Sequence, residues 1–199
     1  SAAASMYEAG HSIFRLNLRD HGESHHLNEA LFHSARLGEV ANAIKQIKAF
    51  YPHRKVNLVG FSLGGNFCMR LACHLAPETI ERVAVISPLI DPARTTDDLE
   101  QGLWLYHFYF IRKWQKSLKK KLAVFPDHSC QTLLSQRGSL SSMNTLFVAE
   151  HTPFDSREEY YQSQIHNTRS PRSHKKRKRW SPKQKKKKKK KRQKKQRKT

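Results

Sequence analysis

Cysteine is scarce in this sequence, and its arrangement argues against a disulfide framework. Cys68, Cys73 and Cys130 make an odd number and form no C-x-x-C pair. The first two fall within one predicted helix, where buried free thiols are expected. Small extracellular domains carry dense, paired cysteines, whereas a few unpaired ones are typical of a reducing compartment. We therefore expect a cytoplasmic protein.

Long apolar runs and a targeting segment are missing as well. No stretch of about 18 apolar residues occurs, so no membrane-spanning helix is expected. The N-terminal SAAASMYEAG has neither the basic region nor the apolar stretch of a signal peptide. The chain begins with Ser rather than Met, and we expect it to start inside a longer protein.

Acidic residues are absent from the C-terminal part of the chain. Residues 169–199 contain 20 Lys and Arg and no Asp or Glu, so the formal charge of +22 falls to +2 for the rest. Such a composition buries too little apolar surface to fold, and we predict a disordered tail over residues 164–199. The tail would contact polyanions or an anionic membrane without specificity and in a salt-dependent way. Translation of an adenine-rich stretch in a shifted frame would give the same run, and both interpretations stay open.

Apolar periodicity in the remaining chain predicts alternating strands and helices. HSIFRLNLRD alternates as a strand does, and the residues before Pro52 have a one-faced helical pattern. KVNLVG predicts a second strand, residues from about 65 to 75 a helix, and ERVAVISPLI a third strand that is apolar on both faces. This order predicts an α/β fold, a parallel sheet with helices on both faces.

The segment from residue 91 to about 127 has an aromatic run followed by a basic one, GLWLYHFYFIRKWQKSLKKK. One interpretation is an amphipathic helix at a membrane surface, which would make the protein peripheral at a membrane. The other is a helical layer whose aromatic side chains line a pocket inside the protein. Beyond it the sequence is helical or irregular, and NTLFVAE is the one stretch that could form a strand.

GFSLGG lies between a predicted strand and a predicted helix. Gly60, Ser62 and Gly64 match the nucleophile elbow G-x-S-x-G, and Gly65 follows directly. Such a turn raises the serine hydroxyl above the sheet edge and places the backbone N–H of Leu63 as an oxyanion-hole donor. A glycine-rich phosphate-binding loop is the alternative interpretation.

Three stretches resemble one family in the same order: LNLRDHGESHHLNEALFHS, LVGFSLGGNFCMRLA and the segment that begins ISPLIDPARTTDDLEQ. They are similar to the YheT-like branch of the α/β-hydrolases, which contains esterases and lipases, over about residues 6 to 163. The resemblance implies hydrolysis of an acyl or lipid-like carboxylic ester with Ser62 as nucleophile. It also implies a cap over the site at about residues 91–127, and a loop of Asp20, His21 and Gly22 beside Ser62. No cofactor and no specific protein partner is implied.

The catalytic acid and histidine of that family are not found in their expected places. They should follow later strands, and the weak candidates here are Asp91 and His151. The family's H-G segment, which supplies a second oxyanion donor, would precede the first residue. We therefore expect an incomplete α/β-hydrolase domain over residues 1–163 that is catalytically incompetent by itself.

The histidine-rich stretch HGESHHLNEALFH invites a metal-binding interpretation. The spacing of His21 and His25 would bring both to one face only on a helix, and Gly22 argues for a loop. No metal site is expected.

Overall fold

The computed structural model describes residues 1–102, 104–136 and 139–165. The chain divides into two units, Ser1–Thr168 and Arg169–Thr199. The predicted tail therefore lies outside the described residues, except that Gln164 and Ile165 belong to the last helix. Its disorder and its binding of polyanions stay predictions.

A small parallel sheet lies at the centre of the α/β part. Strand β1 is Asn57–Phe61 and strand β2 is Arg82–Ile86, with Leu58 opposite Val83. Helix α2 (Leu37–Phe50) precedes β1, and helix α3 (Leu63–His74) connects the two strands. The predicted α/β character, with a parallel pair of strands and a helix that connects them, is confirmed.

One face of this sheet is covered by α2 and α3. The apolar side chains that pack there form the sheet cluster: Leu37, Val40, Ile44, Leu58, Phe67, Cys68 and Leu71. The helical periodicity of residues 37–47 put these α2 side chains on one face, as they are found. The elements form because their buried positions recur at the period of a helix or a strand.

The other face of the sheet is open, which corrects the expectation of helices on both faces. Val59, Phe61 and Ile86 are all exposed among the described residues. Strand β2 has no buried residue, although its sequence is apolar on both faces. An apolar run fits a strand buried on both sides, but it does not supply the layer that buries the second side.

Two predicted strands are also wrong. Residues 11–18 form no strand, and no backbone hydrogen bond joins them to β1 among the described residues. NTLFVAE lies within helix α7 (Leu140–His151). Alternation records which side chains are apolar, whereas a strand also needs a hydrogen-bonded neighbour.

The remaining helices form a second layer. They are α4 (Pro92–Gln101), α5 (Trp104–Val124), α6 (Gln131–Ser135), α7 and α8 (Arg157–Ile165). Apolar side chains of these helices, with Leu31 from an earlier loop and Cys130 from the turn before α6, form the cap cluster: Leu31, Leu118, Cys130, Leu133, Phe147, Val148, Tyr160 and Tyr161. Helix α1 (Ala2–Glu8) and a short 3-10 helix (Ser24–Leu27) complete the described elements. No described helix is long and apolar enough to cross a membrane.

Candidate active site

Ser62 lies in a strained turn between β1 and α3. Its φ of 48° and ψ of −117° place a non-glycine residue at positive φ, which costs on the order of 1–3 kcal/mol. Three backbone hydrogen bonds hold it there. The N–H of Ser62 donates to the carbonyl of Ile86 at 3.0 Å, and the N–H groups of Asn66 and Leu89 each donate to the carbonyl of Ser62 at 3.1 Å. The chain that leaves β2 therefore fixes the turn.

The glycines around the turn differ in what they do. A Cβ on Gly60 would lie 2.5 Å from the carbonyl oxygen of Gly64 and 2.7 Å from Sγ of Cys68. A Cβ on Gly65 would lie 3.0 Å from Cβ of Pro88. A Cβ on Gly64 would meet no described atom within 4 Å. The close approach of α3 to the strand thus depends on Gly60 and Gly65. Gly64 belongs to the motif, but an alanine side chain there would meet no steric clash.

Ser62 is an exposed residue, and its side chain makes no capping hydrogen bond to α3. Leu63 is the first residue of that helix, and its N–H donates to no acceptor among the described residues. A helix N-terminus presents such free N–H groups and a partial positive charge. The arrangement can therefore offer a hydroxyl and an oxyanion donor on adjacent residues.

A cavity of about 360 Å³ opens beside Ser62. Ser62, Leu63 and Leu89 line it from the sheet side. The aromatic side chains that line it come mainly from the helical layer: Phe32, Phe110, Trp114, Phe147, Tyr160 and Tyr161. Such a lining suits an apolar group, with a few polar atoms for orientation.

Neither predicted partner of the serine reaches it. The hydroxyl of Ser62 makes no hydrogen bond to any described residue, and Asp91 and His151 are not among the residues that line the cavity. The Asp91 carboxylate accepts from the N–H of Arg94 at 3.0 Å as the N-cap of α4. The His151 ring stacks on His128 with centroids 5.6 Å apart, and burial, with that neighbour, lowers the pKa of His151. Their catalytic roles stay predictions.

His33 is a residue of the cavity that sequence reasoning did not select. Its ring is buried, lines the cavity together with Ser62, and has no partner for Nδ1 among the described residues. Burial, helped by the charge of Arg36, lowers the pKa of His33 to about 4, so the imidazole is neutral at pH 7. Its only signal in the sequence was its place in a histidine-rich stretch.

The loop of Asp20, His21 and Gly22 does not line the cavity but supports a residue that does. The backbone of Asp20 has a positive φ of 59°. Its carboxylate accepts a hydrogen bond from the N–H of Phe32 at 2.8 Å. Its other oxygen lies 2.6 Å from Nζ of Lys121, and both side chains are buried. The His21 ring packs edge-on against Phe32 with centroids 5.0 Å apart. The loop thus fixes Phe32 and fastens it to α5.

Side chains of the histidine-rich stretch make contacts within the fold. Residues 24–27 form one 3-10 turn, and Nε2 of His25 lies 2.9 Å from Oγ of Ser117. Burial lowers the pKa of His25. The described residues contain no group of three His, Cys, Asp or Glu placed to hold a metal ion.

A buried polar network joins the sheet side to the helical layer next to the cavity. Arg70 is fully buried and donates to the carbonyl of Ser34 at 2.8 Å and to the side chain of Asn66 at 3.2 Å. The hydroxyls of Ser34 and Tyr160 lie 2.6 Å apart. Burial lowers the pKa of Arg70 to about 10, which leaves it charged at neutral pH. Sequence periodicity carried no signal for the contacts between Arg70, Ser34 and Tyr160, because these three residues are far apart along the chain.

Comparisons with known proteins show which family the chain belongs to. A Haemophilus influenzae protein named "Putative esterase/lipase" is 32% identical over 103 residues, which cover 51% of this chain and 34% of that protein. The chain thus spans about a third of the length of this relative. No solved structure matches this chain. Residues 2–197 match the family described as the alpha/beta hydrolase fold. The chain therefore belongs to the α/β hydrolase fold family.

Proposed function

We propose that Ser62 is the nucleophile of a carboxylic-ester hydrolase site whose substrate carries an apolar, lipid-like acyl group. The observation that carries the proposal is the strained turn at Ser62. The side chain of this residue does not cap α3 and lies beside an aromatic cavity. Membership of the α/β hydrolase fold family and the name of the Haemophilus relative support it. The finer YheT-like assignment belongs to the same proposal.

The chemistry follows from the positions of the two adjacent residues. Oγ of Ser62 attacks the ester carbonyl carbon, and its proton passes to a base as the new C–O bond forms. The N–H of Leu63 donates to the oxygen that becomes negative. The C–O bond to the alcohol then breaks, and the alcohol leaves with that proton. Water hydrolyses the acyl-enzyme in the reverse sense and restores the hydroxyl.

Removal of the Ser62 hydroxyl proton is the step that limits the rate of hydrolysis by this chain. A serine hydroxyl is a weak nucleophile unless an adjacent base takes its proton, and neither Asp91 nor His151 is among the residues that line the cavity with Ser62. We therefore expect slow turnover by the chain alone. His33, which shares the cavity, and His151 are the first residues to test as bases.

The test is labelling of Ser62 by a fluorophosphonate probe, with and without added imidazole, read by mass spectrometry of the intact chain and of its peptides. In the labelling step the Ser62 Oγ–P bond forms, the P–F bond breaks, fluoride leaves, and imidazole takes the hydroxyl proton. We expect weak labelling that imidazole increases about tenfold, less than the factor of about 100 or more that a positioned base supplies, because free imidazole is not held beside the hydroxyl. Ser62→Ala is the control and should take up no label.

The outcomes separate the two parts of the proposal. Strong labelling without imidazole would keep the nucleophile but show that a base is in reach, and His33→Gln and His151→Gln would identify it. No labelling of the folded protein even with imidazole would overturn the role of Ser62.

A further inference from the structure

Helix α5 has a face that its packing does not use. Phe110, which is 43% exposed, and Trp114 line the cavity beside Ser62, and Leu118 and Lys121 are buried. The apolar side chains of its first turns remain exposed: Trp104, Leu105, Tyr106, Phe108 and Tyr109. Trp104 is 73% exposed. Large aromatic side chains grouped at one surface are uncommon on monomeric proteins and mark an interaction site.

The outward face continues as a row of cations. Leu105, Phe108, Tyr109, Arg112, Lys113 and Lys116 line one shallow groove, spaced three and four residues apart as one helix face requires. The guanidinium of Arg112 lies 4.8 Å from the centre of the Phe108 ring, and Nζ of Lys113 lies 5.4 Å from the Tyr109 ring. We name these six residues the aromatic–basic face of α5.

No acidic residue opposes these cations on their own helix. Helix α5 contains no Asp or Glu, and the ion pairs of its last turns, Lys120 with Glu23 and Lys121 with Asp20, lie beyond the aromatic–basic face. Among the described residues, no carboxylate forms an ion pair with Arg112, Lys113 or Lys116. The charge complement of the face is therefore an anionic surface.

We propose that the aromatic–basic face of α5 docks the protein on an anionic lipid surface. Aromatic side chains favour the boundary between headgroups and acyl chains, and nearby Lys and Arg favour anionic headgroups. The aromatic turns at the start of α5 enter that boundary, and Arg112, Lys113 and Lys116 lie among the headgroups. The helix lies on the membrane and does not cross it.

In this docking, one side of α5 contacts lipid and the other side lines the cavity. The same turns that contact lipid on the outside carry Phe110 and Trp114, which line the cavity on the inside. An ester drawn from the lipid phase would then enter close to Ser62. This last step depends on the proposed hydrolase function, whereas the docking does not.

A basic segment such as residues 169–199 can bind anionic vesicles by charge alone. The experiment must therefore measure the contact of α5 itself with lipid. The full chain with Trp114→Phe and Trp180→Phe retains Trp104 as its only indole. Its fluorescence is measured against vesicles of phosphatidylcholine and phosphatidylserine whose acyl chains carry bromine near the headgroup. A chain with Trp104→Phe and Trp114→Phe, which retains Trp180, reports the tail in the same assay.

We expect quenching of Trp104 by anionic vesicles and little quenching of Trp180. Leu105→Ser with Phe108→Ser and Tyr109→Ser should weaken vesicle binding about tenfold, because the apolar part of interfacial binding scales with buried apolar area. Phe50→Ser, at a side chain that is 77% exposed on α2, is the matched control and should bind as the parent does. Ser62→Ala should also bind unchanged, which separates docking from hydrolysis.

Two results would overturn the docking. Vesicle binding without quenching of Trp104 would assign the contact to the tail. Complete displacement by a single-stranded oligonucleotide, with the triple serine variant binding as the parent, would identify a general polyanion site in place of a lipid surface.

Discussion

The sheet cluster and the cap cluster resist change for different reasons. The sheet cluster contains only apolar side chains, and beside it the backbone of α3 approaches β1 so closely that Gly60 has no room for a Cβ. The cap cluster contains buried tyrosines, and the segments around it are fastened by buried polar pairs, Ser34 with Tyr160 and Asp20 with Lys121. Added volume should therefore damage the first region, and a lost polar partner the second.

The largest effect is expected from breaking the buried ion pair of the helical layer. Lys121→Met leaves the Asp20 carboxylate buried without its cation and removes the donor to the carbonyls of His25 and Asn28. We expect a loss of about 4 kcal/mol in the free energy of unfolding, measured by urea denaturation. Lys120→Met is the control, since its ion pair with Glu23 is on the surface. Equal stability of the two variants would contradict the comparison.

Gly60→Ala tests the sheet side. Its methyl group would overlap the Gly64 carbonyl and Cys68 Sγ, and we expect a loss of about 3 kcal/mol. Gly64→Ala, four residues along in α3, meets no described atom and should gain up to about 1 kcal/mol from helix propensity. Thermal unfolding followed by circular dichroism measures both. A Gly60→Ala protein as stable as its Gly64→Ala counterpart would show that the helix can move away from the strand.

Acid should weaken the contact between the two regions through His33. Its pKa is about 4 in the folded protein against an ordinary value of 6.5, so the unfolded chain binds more protons between these values. Stability is then fully present above about pH 6.5, falls as the pH falls towards 4, and this contribution is lost below that. His33→Gln should reduce the loss between pH 6.5 and 4 by about 2 kcal/mol. His53→Gln, at an exposed position, is the control variant for the same measurement.

The smallest of the expected effects comes from one hydroxyl. Tyr160→Phe removes the partner of the Ser34 hydroxyl and of the Ser34 N–H, which lies 3.0 Å from it. We expect a loss of about 1.5 kcal/mol, the cost of leaving buried polar groups unpaired. Tyr7→Phe on the exposed face of α1 is the control for the assay. No difference between the two would mean that water replaces the lost hydroxyl.

Sequence reasoning succeeded where the information is local. The spacing of Leu37, Val40 and Ile44 located α2, and the residues around Ser62 predicted a strand, a sharp turn and a helix, which the structure contains. It failed where a contact joins distant segments. The open second face of the sheet, the place of His33 in the cavity and the pairing of Ser34 with Tyr160 depend on which segments meet, and no local period records that.

The turn at Ser62 links the reactivity of the site to the opening of one strand. Two of the three backbone bonds that hold the turn join Ser62 to Ile86 and Leu89, at and after the end of β2. If β2 separates from β1, these bonds are lost and the positive φ relaxes to an ordinary value. The amides of Ser62 and Leu89 should then exchange with solvent together, in one cooperative opening. Their hydrogen-exchange rates would measure the fraction of molecules in which the nucleophile is correctly oriented.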